Sequence, residues 1–277
     1  PRLSWRIESD EQNVIQTAYH ILVASSPELL EQGKGDIWDS GKIESDASQW
    51  ITYQGKTLKC NASYYWKVKI DTNKGATNWS APAFWTTGLF NEADWQGQWI
   101  GLDRAAPGDS ETQWSRLAAR YLRKEFAVKK SVKRATVHIA GMGLYELFIN
   151  GQRIGNQVLA PAPTDYRKTI LYNTYDVTSL LQTENAIGVT LGNGRFYTMR
   201  QNYKPYKIPT FGYPKLRLNL IVEYADGSKE TIATNTSWKL TTEGPIRSNN
   251  EYDGEEYDAR KELGAWTQTG YDDKNWM

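Results

Sequence analysis

Residues 58–70 read LKCNASYYWKVKI, and this stretch decides how the first part of the chain folds. From Tyr64 onward apolar and polar residues alternate, so one face of a strand carries Tyr64, Trp66, Val68 and Ile70. Leu58 precedes Tyr64 by six residues. This spacing is typical of a tyrosine corner, in which the tyrosine hydroxyl bonds to the backbone where the chain crosses between two sheets. The stretch therefore predicts a β-sandwich with Tyr64 at its corner.

The segments around this stretch also have the pattern of short strands. Tyr19–Val23 predicts a strand with both faces partly covered, and Phe84–Thr87 closes the block. The best helical candidate is one or two turns over Ser26–Gln32, with Pro27 at the first helical position. We therefore expect residues 1–88 to form a small fibronectin type III-like β-sandwich.

The second half of the chain contains two hairpin signatures, each a strand, a glycine-containing turn and a returning strand. Their turns are Asn150-Gly151 and Asp226-Gly227. Alternation predicts further strands at Arg120–Phe126, Ala135–Ala140 and Ala186–Leu191. Many short strands without a helical layer predict an all-β chain. We expect a jelly-roll (galactose-binding-like) β-sandwich over 119–277, after a linker at 89–118.

Charge and composition argue against several classes of protein. The 33 basic and 32 acidic residues are mixed along the chain, so we expect no nucleic-acid partner. No apolar run reaches the roughly 18 residues that a membrane span needs. The single cysteine, Cys60, is either a small residue at a loop–strand junction or a nucleophile that needs a nearby histidine. Because His20 and His138 both lie in strand patterns, serine–histidine–aspartate catalysis and histidine zinc sites are poorly supplied.

Acidic residues cluster near the end of the chain, at Glu255, Glu256 and Asp258 and again at Asp272 and Asp273. A solvated acidic loop is the main interpretation. A glycosidase pair is one alternative, since such enzymes use two carboxylates. A calcium-type oxygen cluster is the other, with further ligands from Asn249, Asn250 and Asp253.

Several collinear motifs together carry a resemblance to a known family. In the first half they are AYHILVASS (18–26) and GDIWDSGKI (35–43), and in the second half FINGQRIGNQVLAP (148–161), YNTYDVTSLL (172–181), NAIGVTLGNG (185–194) and EYDGEEYDAR (251–260). They resemble the N-terminal modules of bacterial α-L-rhamnosidases, glycoside hydrolase family 78. The resemblance covers nearly the whole chain.

This resemblance implies a fibronectin-like module, then a jelly-roll module, then a downstream catalytic (α/α)₆ barrel in the same protein. The parent enzyme would release terminal L-rhamnose from glycans or glycosides with inversion, using two carboxylates roughly 6.5–9.5 Å apart. Those carboxylates belong to the barrel, so we expect no catalytic residue here and an inactive accessory fragment. A stand-alone lectin-like carbohydrate-binding module is the alternative. An enzyme complete in itself is disfavoured, because this length cannot hold a barrel of a dozen helices.

The resemblance also implies a sugar site on the jelly roll. Some relatives bind rhamnose with the help of Ca²⁺, held by oxygen ligands after the Asn150-Gly151 hairpin. The matching calcium ligands here are Asn156 and Gln157, two amides where relatives have a carboxylate and an amide. For sugar contact, with rhamnose-containing glycans as possible partners, we name Asn156, Gln157, Asp165, Tyr166, Arg195 and Tyr197. No other cofactor is expected.

This chain departs from the family pattern at two places near that site. It reads Pro161-Ala162-Pro163-Thr164 before Asp165, where relatives have Pro-Gly-Trp-Thr, and Gly194-Arg195-Phe196, where relatives have Gly-Trp-Tyr. Both changes remove a possible stacking platform. The Gly192-x-Gly194 motif is better explained by turn chemistry than by a ligand loop.

The chain opens inside a strand-like segment, Leu3–Ile7, and closes abruptly at Asn275–Met277, so we expect both ends to be boundaries within a longer polypeptide. The absence of a targeting segment then carries no information about location. From the resemblance we expect a periplasmic, cell-surface or secreted bacterial protein.

Overall fold

A computed structural model describes residues 1–104, 117–197, 210–251 and 254–277. The chain divides into two compact units, Pro1–Phe90 and Asn91–Met277. Within the described residues the one α-helix is five residues long, and no helix there is long and apolar enough to cross a membrane. The described secondary structure is otherwise antiparallel strands and short 3₁₀ turns, which confirms the all-β fold class.

The first unit is a small β-sandwich with one short helix. Strands β2, β3 and β5–β7 form one sheet, and β1 and β4 form the other. The apolar core holds Leu3 of β1 together with Ile21, Val23, Tyr64, Val68 and Ile70. The elements are β1 (Arg2–Leu3), β2 (Gln16–Ala24), α1 (Pro27–Glu31), β3 (Trp38–Glu44), β4 (Ile51–Thr52), β5 (Ser63–Thr72), β6 (Gly75–Ala76) and β7 (Ala83–Thr86).

The structure confirms the tyrosine corner and the short helix. The backbone N–H of Lys59 donates to the Tyr64 hydroxyl over 2.7 Å. Ser26 caps α1, because its side chain accepts from the backbone N–H of Leu29, and Pro27 occupies the first helical position. Tyr64, Val68 and Ile70 of β5 lie in the core and Trp66 packs against it, as the alternation predicts.

The second unit is a larger two-sheet sandwich. One sheet has the strand order β13-β10-β15-β16, with β8 added beside β15, and the other has the order β12-β11-β14-β9-β17. The strands are β8 (Ile100–Gly101), β9 (Arg120–Ala127), β10 (Val132–Met142), β11 (Leu144–Ile149), β12 (Gln152–Ile154), β13 (Tyr172–Asp176), β14 (Glu184–Gly192), β15 (Lys215–Tyr224), β16 (Lys229–Ala233), β17 (Lys239–Thr241), β18 (Ile246–Asn250) and β19 (Gly254–Tyr257). Strands β18 and β19 pair only with each other within the described chain.

The chain passes repeatedly between the two sheets, as a jelly roll requires. Residues such as Val137, Ile139, Leu147, Ile187, Leu218 and Leu220 fill the space between the sheets and are fully or almost fully buried. Asn150 and Gly151 have φ values of +50° and +82°, the left-handed pair that a tight hairpin turn needs. Strand β11 pairs with β12 and β15 pairs with β16, so both predicted hairpins are present.

From Asn91 onward, the described part of the segment expected as a linker belongs to the second unit. Gly97 donates its N–H to the Asn219 side chain over 2.8 Å, and Ile100–Gly101 pairs with β15. A Cβ on Gly97 would lie 2.5 Å from the Leu218 carbonyl oxygen, so this close approach requires glycine. Residues 105–116 of the expected linker lie outside the described residues.

Candidate functional site

A cleft of about 710 Å³ lies in the second unit. It is bordered by the start of β11, the loop over residues 158–166, the end of β14 with residues 192–195, and the β18–β19 hairpin. These segments are distant in sequence, so the cleft exists only in the folded sandwich. Its volume is in the range of small-molecule pockets.

Asn193 fixes the hairpin beside the end of β14. Its backbone N–H donates to Asn249 Oδ1 over 2.6 Å, and its side-chain amide donates to the Asn249 carbonyl over 2.8 Å. Gly194 has φ +49°, and a Cβ there would lie 2.7 Å from the Leu144 side chain. The glycine is thus explained by backbone geometry and close packing.

Two of the residues predicted to bind sugar, Tyr166 and Arg195, both line the cleft. The Tyr166 ring packs edge-on against Phe196 and Phe211, with centroids 5.2 and 5.3 Å away. Burial raises the pKa of the Tyr166 hydroxyl, Arg195 lowers it and Glu251 raises it. Arg195 pairs with Glu251 over 3.3 Å, and both side chains are partly exposed.

The other two predicted residues of these loops do not line the cleft. Tyr197 is buried, packs with Leu117 and stacks on Tyr213 at a centroid distance of 5.8 Å. The exposed Asp165 serves its own loop, because its carbonyl accepts from the backbone N–H groups of Lys168 and Thr169. Its side chain pairs with Arg167 over 3.2 Å.

Arg153 occupies the loop that was expected to hold calcium. Asn156 and Gln157 are exposed. The Arg153 guanidinium donates to the carbonyl of Gln157 over 2.8 Å and to Glu146 over 3.0 Å. The Gln157 side-chain oxygen accepts from the Tyr175 hydroxyl over 3.1 Å. The one carboxylate of this group, Glu146, is already paired with Arg153, and the other side chains are neutral amides. This arrangement does not fit a calcium ion, which takes six to eight oxygen ligands and usually several carboxylates.

The acidic residues near the end of the chain have separate surroundings. Glu255 lines the cleft, whereas Asp273 binds the buried Arg123. Hydrogen bonding to Arg260 lowers the pKa of the Asp258 carboxyl to about 2. No group of three or more His, Cys, Asp or Glu residues that could hold a metal ion occurs in the part of the chain that the structure describes. Asp253 lies outside that part.

Sequence reasoning missed three polar residues of the cleft as ligand contacts. Glu146 is on β11, where alternation puts it on the outer face. Asn249 was named only as a ligand of a calcium-type cluster, and Glu251 was not named as a site residue. The alternation around Glu146 was a usable signal, but nothing local in the sequence indicates that residues 249–251 meet Arg195.

Comparison with known families gives two matches that together cover most of the chain. Residues 130–277 match the alpha-L-rhamnosidase N-terminal domain. Residues 1–91 match the Rha78A-like N-terminal immunoglobulin domain. The two matches agree with the order of the sandwiches in the structure.

Similar proteins of known sequence or structure point the same way. An alpha-L-rhamnosidase of Formosa agariphila is 40% identical over the whole chain, and one of Alteromonas sp. is 36% identical. The chain spans 31% and 30% of their lengths. The structure of alpha-L-rhamnosidase from Dictyoglumus thermophilum is 41% identical, with a TM-score of 0.87 over 99% of this chain and 31% of that one.

A second solved structure shows the same likeness. The alpha-L-rhamnosidase structure from Aspergillus terreus is 33% identical, with a TM-score of 0.85 over all of this chain and 31% of that one. One family model alone matches more than half of this chain. The chain therefore belongs to the alpha-L-rhamnosidase N-terminal domain family.

Proposed function

We propose that this chain is a non-catalytic accessory region of a larger protein that hydrolyses terminal L-rhamnose from glycans or glycosides. In that protein a downstream (α/α)₆ barrel carries the two carboxylates of an inverting mechanism. The observation that carries the proposal is the pair of β-sandwiches, each matching an N-terminal module of such enzymes. The chain also spans only about 30% of its curated relatives.

Two of the three described carboxylates that line the cleft support a role other than hydrolysis. Glu146 is paired with Arg153 over 3.0 Å and Glu251 with Arg195 over 3.3 Å. An inverting glycosidase instead needs one carboxylic acid to donate a proton and one carboxylate to activate water. Two carboxylates engaged by guanidinium groups are suited to fixing side chains in place.

The direct test is an assay of this chain on an aryl α-L-rhamnoside, with a full-length relative as positive control. We expect no turnover above the buffer rate. Turnover that disappears in Glu255→Gln or Glu256→Gln would overturn the proposal, because it would place catalytic carboxylates in this chain. A parallel assay of Asp272→Asn provides a control for nonspecific loss of folding.

A lectin-like carbohydrate-binding module is the second candidate function. The observation in its favour is the cleft, where Tyr166 and Arg195 come together. Rhamnose-containing glycans are then the proposed partners.

We propose that such binding does not depend on calcium, since Arg153 already occupies the Asn156–Gln157 loop. Isothermal titration with L-rhamnose should give the same heat in Ca²⁺ and in EDTA. Heat only in Ca²⁺ would contradict this.

We also propose a periplasmic, cell-surface or secreted location, because polymeric glycans are met outside the cell. Fractionation of a bacterium that expresses the complete protein tests this. Recovery with the cytoplasmic markers would contradict it.

A further inference from the structure

The lining of the cleft is amphipathic. Leu144, Val158, Leu159 and Pro163 supply apolar surface, and the exposed fractions of Val158 and Leu159 are 78% and 73%. The rest of the lining is mainly amides, carboxylates and one guanidinium, which come from the β18–β19 hairpin region, from Glu146 of β11 and from Arg195. A ligand with both an apolar edge and several hydroxyl groups matches these two kinds of surface. A pyranoside is such a ligand.

Two residues of the cleft carry polar atoms that are buried without a hydrogen-bond partner in the described chain. They are Tyr166 Oη and Asn249 Nδ2. A buried donor without a partner is unfavourable, and a ligand hydroxyl or a water molecule that reaches it removes this cost. Both Arg195 and Glu251 act on the Tyr166 hydroxyl electrostatically. Hydrogen-bonding groups therefore converge near the Arg195–Glu251 pair.

The charge of the cleft favours a neutral ligand. Its described lining holds three carboxylates, Glu146, Glu251 and Glu255, and one guanidinium, Arg195. Because Arg153 pairs with Glu146 from outside the lining, Glu255 is the one carboxylate in excess over the guanidinium groups. Arg195 is already paired with Glu251 over 3.3 Å. A ligand carboxylate or sulfate would be repelled by the lining and would compete with Glu251 for Arg195.

We propose that this cleft binds a neutral pyranoside and excludes anionic sugars, with Glu251 as the residue that sets the exclusion. The inference rests on the proposed carbohydrate-binding function. The sugar hydroxyls bind the Glu251 carboxylate and, after a small side-chain shift that uncovers them, Tyr166 Oη and Asn249 Nδ2. The apolar edge of the ring packs on Leu144 and Val158. Glu251 holds the Arg195 guanidinium and cancels the charge that would attract an acidic sugar.

Titration of the chain with L-rhamnose and with D-galacturonate, followed by calorimetry or ligand-observed NMR, tests the proposal. We expect L-rhamnose to bind and D-galacturonate not to bind. Tyr166→Phe keeps the ring and removes one hydroxyl, and should weaken L-rhamnose binding by about fivefold, the usual effect of one hydrogen bond. Glu251→Gln should weaken L-rhamnose binding and create measurable binding of D-galacturonate, because Arg195 is then free of its carboxylate partner.

Glu256→Gln is the matched control for Glu251→Gln. It removes one negative charge from the same hairpin region, but Glu256 does not line the cleft. It should leave both affinities unchanged, and circular dichroism checks the fold of every variant. Tighter binding of D-galacturonate than of L-rhamnose by the native chain would overturn the proposal. So would native-like behaviour of both Tyr166→Phe and Glu251→Gln. Binding of neither sugar would overturn it as well, but would leave the accessory role intact, because the rhamnoside assay tests that role separately.

Discussion

Replacing Arg123 with methionine should destabilise the second unit strongly. The Arg123 side chain is 1% exposed and binds two carboxylates, Asp273 and, over 2.5 Å, Glu125. It also donates to the carbonyls of Trp266 and Gln268, each over 3.0 Å. These contacts fasten the C-terminal segment to β9. Methionine keeps the apolar stem but removes every donor.

The magnitude follows from the burial of the partners. Removing one member of a buried ion pair costs about 3–5 kcal/mol, because the remaining charge is left without compensation. Here the Asp273 and Glu125 side chains are 27% and 41% exposed, so water replaces part of what they lose. We therefore expect the lower end, about 3 kcal/mol. With a urea slope of about 2–3 kcal/mol per M, the midpoint falls by about 1 M.

Urea unfolding followed by tryptophan fluorescence measures the midpoint, and hydrogen exchange localises the effect. We expect faster exchange in the peptides over 265–277 and unchanged exchange in residues 1–90. Arg260→Met is the control, since that side chain is 89% exposed and ion pairs of exposed side chains contribute little to stability. A midpoint of Arg123→Met equal to that of Arg260→Met, with native exchange at the C-terminus, would refute the reasoning.

Three further predictions concern single groups. Tyr64→Phe removes the acceptor of the Lys59 N–H and should cost the first unit about 1 kcal/mol in urea unfolding, whereas Tyr65→Phe should cost less. Burial, with a smaller contribution from a nearby arginine, lowers the pKa of His138 to about 4, so the unfolded chain takes up its proton first as the pH falls. The free energy of unfolding is therefore unaffected by this group above pH 6.5 and falls by about 3 kcal/mol between pH 6.5 and 4. In His138→Gln, the free energy of unfolding should depend less on pH over this range. Gly151→Ala should cost about 1 kcal/mol, since φ is +82° there, and an unchanged melting temperature would contradict this.

The sequence patterns predicted the central strands well because each of them has a local cause. Alternation in β5 and the left-handed turn at Asn150-Gly151 are properties of a few adjacent residues. Strand β13 was not predicted, because Tyr172–Asp176 is mostly polar. It lies at a sheet edge and pairs with one strand, β10, so its sequence carries no clear apolar alternation. That residues 91–101 belong to the second sandwich was not predicted either, since a two-residue strand beside β15 is too short to show alternation.

The candidate site could be predicted only in part, for a physical reason. Tyr166 and Arg195 were named from motifs, and the structure brings them to one cleft. Tyr197 was named from the same motif, yet it is buried. Within two residues of each other, Arg195 and Tyr197 therefore differ completely in exposure. A motif gives the identity of a side chain, whereas its exposure depends on packing partners such as Tyr213 that are distant in sequence.

The meaning of Arg195 depends on that long-range packing. Considered alone, an exposed arginine in a sugar-binding loop favours acidic ligands, because guanidinium groups bind carboxylates in a bidentate manner. In the folded unit Glu251 approaches it to 3.3 Å, held there through the Asn193–Asn249 hydrogen bonds that fix the hairpin. The positive charge of Arg195 is then neutralised by Glu251, so Arg195 contributes no net attraction for an anion. Asn193→Ala should loosen this arrangement without removing any charge, and so should shift sugar selectivity in the same direction as Glu251→Gln.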